Sequence, residues 1–188
     1  MRIRLVRLAM AGDVRAIDAL RLLTLHAGVF ATLSVHNTVL NQERQYARWL
    51  AGHPIVGLSY HVNAARSVGA WIAADFDIAL YADTSGETLV SSLISISGLG
   101  PAKSTFMGAL MGYDACPCID VHMSRMFGLP RAYANLAKYR AAVAASPLRH
   151  TLQQWEAFMI VPLFARDQHD CYFRQALPLL ARAIAPTP

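Results

Sequence analysis

The sequence predicts an all-α chain folded as a compact helical domain, long enough for one well-cored unit or for two small lobes around a cleft. Apolar residues recur at helical spacing through most of the 188 positions, capping and glycine stop signals punctuate them, and no segment carries the period-two alternation of a strand. With no internal repeat or low-complexity linker, residues 1–188 read as a single domain, long enough to bury a sizeable core. Apolar residues make up 55% and charged residues 15%, a balance that excludes disorder and asks most helices to bury a broad face.

The opening Met1-Arg2-Ile3-Arg4-Leu5-Val6-Arg7 begins like a signal segment, but Arg7, Asp13, Arg15 and Asp18 interrupt any continuous apolar region, leaving an amphipathic first helix. Residues 14–25 carry helical spacing and 30–35 form a buried segment. His36-Asn37-Thr38 then turns or caps into a helix over 41–51, with Tyr46, Trp49 and Leu50 as its apolar edge, closed by Gly52-His53-Pro54. A helix over 58–75 places Tyr60, Val62, Ala65, Val68 and Ile72 on an inner stripe, and 78–81 forms a short one. Thr84-Ser85-Gly86-Glu87 has capping-box spacing for a helix over 87–96. Pro101 suits the first position of a helix that runs to Met111 and stops at Gly112. Asp120 caps a helix ending at Gly128, and helices follow over 131–145, 151–164 and 171–184.

The longest apolar run, residues 22–35, is broken by His26 and falls short of the roughly 20 residues a membrane span requires, so no span and no membrane partner are expected. Cys116, Cys118 and Cys171 cannot all pair within one chain, and Cys-Pro-Cys is not a usual zinc spacing; no metal site is expected, and a reducing, cytoplasmic compartment fits. The net charge of +5 and pI near 9.4 are compatible with a polyanionic partner without demanding one. Arginine supplies fifteen of the seventeen basic residues, and the only lysines are Lys103 and Lys138.

The most informative stretch is Ser97-Gly98-Leu99-Gly100-Pro101-Ala102-Lys103, between two helical patterns. Two glycines around one apolar residue permit a tight turn and a close backbone approach, while Leu99 anchors the turn in the core. Exposed amides beside a helix N-terminus form a phosphate seat, although any tight helix-to-helix turn can use the same residues. Downstream come Phe106 and Leu110 facing inward, Gly112, and then Cys118-Ile119-Asp120-Val121-His122-Met123-Ser124-Arg125.

In that order, Gly98-Leu99-Gly100 followed by Asp120-Val121-His122 and Arg125 resembles the signature of the helix-hairpin-helix DNA glycosylase superfamily, the endonuclease III and 8-oxoguanine glycosylase relatives. The likeness covers about residues 30–128 and is tightest over 96–128. It takes in Gly57-Leu58-Ser59-Tyr60 to Ala65 as the segment before the hairpin and Leu33-Ser34-Val35-His36 as the substrate-side helix. Small phage-encoded relatives share the Gly-x-Gly-x-x-Lys pattern, phenylalanine and a Cys-x-Asp-x-His block, so a phage origin and a host cytoplasm are compatible with it.

The resemblance implies a helix-hairpin-helix motif at about 87–112 and DNA as partner, with Gly98, Leu99, Gly100, Ala102 and Lys103 on the phosphate backbone. It makes Asp120 the catalytic carboxylate, stabilising positive charge on the sugar as an N-glycosidic bond of a flipped nucleotide breaks. Helix capping also accounts for Asp120. Lys103 stands one position beyond the Schiff-base lysine of bifunctional members, where this chain has Ala102, and one residue turns a helical side chain by about 100°. Lys103 is therefore either a second catalytic residue or a phosphate contact in a monofunctional enzyme, and a solvated lysine remains equally compatible.

His36, Asn37 and His122 could line the substrate pocket, while turn chemistry for the first two and a buried hydrogen-bonded role for His122 fit as well. Tyr60 and His61 read as core or structural residues. The iron–sulfur cluster of endonuclease III relatives needs four cysteines, so no cluster or other cofactor is expected, and the hairpin leaves room for a monovalent ion. The short segment between Ser34 and Gly57 implies a reduced pocket or a single-stranded substrate. Two alternatives stand beside base excision: hypermodification of thymine or 5-hydroxymethyluracil in phage DNA on the same fold, and a non-catalytic DNA-binding module that keeps the hairpin. Oligomeric state and target base are not encoded legibly.

Overall fold

The computed structural model describes residues 2–33, 39–55, 59–113 and 136–145. Among these residues it is all-helical, with seven α-helices, one 3-10 helix and no strand. In chain order they are α1 (Arg2–Met10), α2 (Val14–Leu33), α3 (Val39–Leu50), α4 (Ser59–Ala74), a 3-10 turn (Ile78–Tyr81), α5 (Glu87–Leu93), α6 (Gly100–Leu110) and α7 (Leu136–Ala145). The expected turn at 36–38, the helix opened by Asp120, and the helices over 151–164 and 171–184 lie outside the described residues.

α2 is the centre of the core, packed against α1, α3, α4 and α6. The expected helix over 14–25 and residues 30–33 of the expected buried segment 30–35 belong to one continuous helix of 20 residues, because nothing between them interrupts helical hydrogen bonding; residues 34 and 35 lie outside the described residues. By length and a mean hydropathy of 1.4 it is the one described helix that could cross a membrane, yet 72% of that apolar window is buried against the rest of the chain. Asp13 starts it, its Oδ1 accepting from the amides of Arg15 at 2.9 Å and Ala16 at 3.2 Å. Midway along, Gly28 lets α4 and α6 approach. A Cβ there would stand 2.7 Å from Val68 Cγ1 and 3.2 Å from Met107 Cε.

A second set of contacts fixes the end of α6. Tyr113, fully buried, donates to the Tyr81 carbonyl at 2.8 Å and lies under the Arg2 guanidinium, 3.8 Å from its ring centre. The Tyr81 hydroxyl in turn bonds to Thr24 Oγ1 on α2, so 3-10 turn, core helix and Tyr113, three residues beyond α6, are tied by polar groups that are all paired. Burial pushes the Tyr81 phenol well above its usual range.

The start of α5 differs from the expected capping box. The N-cap is Gly86 in a left-handed conformation, with no side chain to cap with. Asp83 does the work from outside: Oδ1 accepts from Ser85 N at 2.9 Å, and Oδ2 accepts from Thr88 N at 3.1 Å and Thr88 Oγ1 at 3.0 Å. Ser85 Oγ accepts from Glu87 N at 3.2 Å. α5 also ends earlier than expected, at Leu93, with turns from Ile94 to Leu99.

α4 carries the other correction. Its buried face is His61, Ala64, Ala65, Val68 and Trp71, whereas Tyr60 is 45% exposed and Val62 half-buried. The inner stripe is thus rotated from the expected one. Small residues at 64 and 65 allow close approach and set the rotation, drawing Tyr60 off the core side.

Candidate functional site

Residues 94–99 join α5 to α6 in a tight turn held by Ile96 N to Leu93 O and Leu99 N to Ile96 O, both 3.1 Å. Gly98 and Gly100 both have positive φ, +87° and +63°, a region that only glycine enters without strain. Gly98 is needed twice over, since a Cβ would lie 2.8 Å from Ala64 Cβ and 3.3 Å from Ala64 Cα. The turn is seated directly on α4.

Leu99 is 4% exposed and Pro101 is buried, so the Leu99 side chain anchors the turn inward. Ala102 packs partly against the core. Phe106 and Leu110 point inward as expected, at 5% and 1% exposure. Ser97 and Gly98 are exposed, and their amides donate to no backbone carbonyl among the described residues. They stand beside the first turn of α6, at the positive end of its helix dipole.

Lys103, in the first turn of α6, folds back over this edge. Its Nζ donates to the Gly98 carbonyl at 3.2 Å and sits 5.7 Å from the centre of the Tyr60 ring. It is half-buried, not freely solvated, and burial pushes its ammonium below the ordinary lysine range. Tyr60 packs edge-on to His61, with centroids 3.9 Å apart, and His61 is buried at 4% exposure. The edge is therefore built from two elements: glycines and lysine from the turn and α6, an aromatic ring from α4.

The structure brings Gly98, Leu99, Gly100, Ala102 and Lys103 together at one turn. Asp120, His122, Arg125, His36 and Asn37 lie outside the described residues. No group of three or more His, Cys, Asp or Glu side chains gathers among the described residues. The residue that sequence reasoning misplaced is Tyr60. The one signal for it was its position in the segment leading to the hairpin, which periodicity assigned to the core.

A second polar cluster lies away from the turn. His26 on α2 shares a 2.8 Å hydrogen bond between Nδ1 and the Tyr46 hydroxyl of α3, with Trp49 edge-on to the imidazole at 5.1 Å. Burial lowers its pKa from 6.5 to about 4, keeping the ring neutral. This cluster joins α2 to α3. No family model matches this chain, and neither does any curated protein or solved structure.

Proposed function

We propose that the chain is a DNA glycosylase of the helix-hairpin-helix type, in which the α5–turn–α6 unit clamps a phosphodiester while Asp120 acts on a flipped nucleotide. One observation carries the reading: left-handed Gly98 and Gly100 form a turn that sets exposed Ser97 and Gly98, whose amides donate to no backbone carbonyl among the described residues, beside the N-terminus of α6, and the Lys103 amine stands on the same edge. Amides and ammonium together suit an anion with several acceptor oxygens. Such a seat positions a duplex without reading its sequence, as an enzyme searching for a rare base requires.

Lys103 acts here as a phosphate contact. Its amine is directed to the Gly98 carbonyl, at the turn itself, where a backbone phosphate would lie. Asp120 supplies the chemistry: a carboxylate stabilises the cationic character that develops at the sugar and orients the attacking water.

The deciding experiment incubates the protein with DNA from several sources, including modified phage DNA, and identifies released bases and nucleosides by mass spectrometry. A free base released by wild type and lost in Asp120→Asn, at unchanged DNA affinity, is the expected result. A new nucleoside with an intact sugar–base bond would replace excision by base modification. Binding with neither product would reduce the chain to a DNA-binding module, and an active Asn variant would remove Asp120 from the mechanism.

A further inference from the structure

We infer that Tyr60 is a positioning residue for Lys103, its ring and the Gly98 carbonyl together holding the ammonium on the edge of the turn where it meets a phosphate of DNA. The inference rests on the proposed function for its ligand, and on the structure alone for its geometry.

A lysine has four rotatable side-chain bonds, and fixing them costs side-chain entropy. Lys103 is nevertheless folded back to Gly98 O at 3.2 Å, with the Tyr60 ring centre 5.7 Å from its Nζ. That separation is within the range at which an aromatic face attracts a cation. The carbonyl uses one of three ammonium protons, leaving two for an incoming anion. Tyr60 is 45% exposed on α4, one turn before Ala64, against which Gly98 packs. A single face of α4 thus sets both the turn, through Ala64, and the amine, through Tyr60. Removing water from one side of Lys103, as its half-buried state shows, strengthens the attraction to a phosphate that approaches from the other.

The test compares Tyr60→Phe, Tyr60→Leu, Lys103→Ala and the double variant Tyr60→Leu/Lys103→Ala by the salt dependence of binding to a DNA duplex. Lys103→Ala is expected to reduce the slope by about one. Tyr60→Leu should move the slope in the same direction and weaken binding by about threefold, while Tyr60→Phe, which keeps the ring, stays at wild type. In the Lys103→Ala background the Tyr60→Leu effect should vanish, since the ring then has nothing to hold. Additive losses would overturn the inference, for they would mean that Tyr60 touches DNA or supports the fold independently of Lys103.

Exchange of the Lys103 ammonium protons, read by nitrogen-15 NMR in the free protein, decides the geometry even if wild type binds no DNA and the proposed function fails. Faster exchange in Tyr60→Leu but not in Tyr60→Phe supports the positioning role. Equal exchange in all three refutes it. With only two lysines in the chain, Lys103→Ala assigns the signal directly.

Discussion

Replacing His26 by glutamine should lessen the chain's acid sensitivity. The imidazole is 7% exposed, shares a hydrogen bond with Tyr46, and has its pKa lowered by burial from 6.5 to about 4. Above pH 6.5 the ring is neutral whether the chain is folded or not, and protonation costs nothing. As pH falls, the unfolded chain takes up a proton that the folded chain refuses, so stability declines until pH reaches the folded value near 4. The two values give a loss of about 1 kcal/mol at pH 5.5 and about 2 to 3 kcal/mol at pH 4.5. Urea unfolding of wild type and His26→Gln at pH 7.5, 5.5 and 4.5 measures it. The difference between the two proteins should close, or reverse in favour of the variant, by these amounts as pH falls. Carboxylates titrate alike in both and cancel in the comparison. Parallel stability profiles from pH 7.5 to 4.5 would show that His26 reaches water or a compensating charge, and would refute the reasoning.

Gly98→Ala should cost about 2 kcal/mol or more, since a left-handed backbone at φ +87° and a Cβ 2.8 Å from Ala64 Cβ both oppose it; a melting temperature equal to wild type would contradict the seating of the turn on α4. Asp83→Ala should cost about 1 kcal/mol in urea unfolding at neutral pH, by freeing the amides of Ser85 and Thr88. Hydrogen bonds from Ser85, then from Thr88, lower the Asp83 pKa to about 2, so its contribution is present above the ordinary carboxylate range and lost as pH falls towards that value. An Asp83→Ala variant whose deficit stays constant from pH 7 to pH 2 would rule this out.

Local chemistry was the legible part of the fold. The turn between α5 and α6 announced itself through Gly98, Gly100 and Pro101, residues whose backbone preferences hold whatever surrounds them. Rotational phase was less legible. On α4, Ala64 and Ala65 weigh little in an apolar pattern yet face the core, so Tyr60 was drawn to the wrong side. Along α2, residues 26–31 are nearly all small or apolar, which erased the phase linking its two halves. The Asp83 cap also escaped notice, because the side chain reaches Thr88 from a loop that Ser85 must first fold. The site shows the same division: the lysine could be found in the sequence, but the ring beside its amine is that of Tyr60, on a helix distant in the sequence.

Gly28 gives the arrangement a mechanical character. Val68 and Met107 both rest above it, one from the helix that seats the turn and one from the helix that the turn begins. The two neighbours differ in compliance, since a valine is stiff at its branched carbon while a methionine can swing its terminal methyl aside. Bulk added at Gly28 would therefore be transmitted mainly to α4, lifting the platform under Gly98 and Lys103 while α6 gives way. A position with no side chain, remote in sequence from the turn, acts as the fulcrum on which the height of the turn depends.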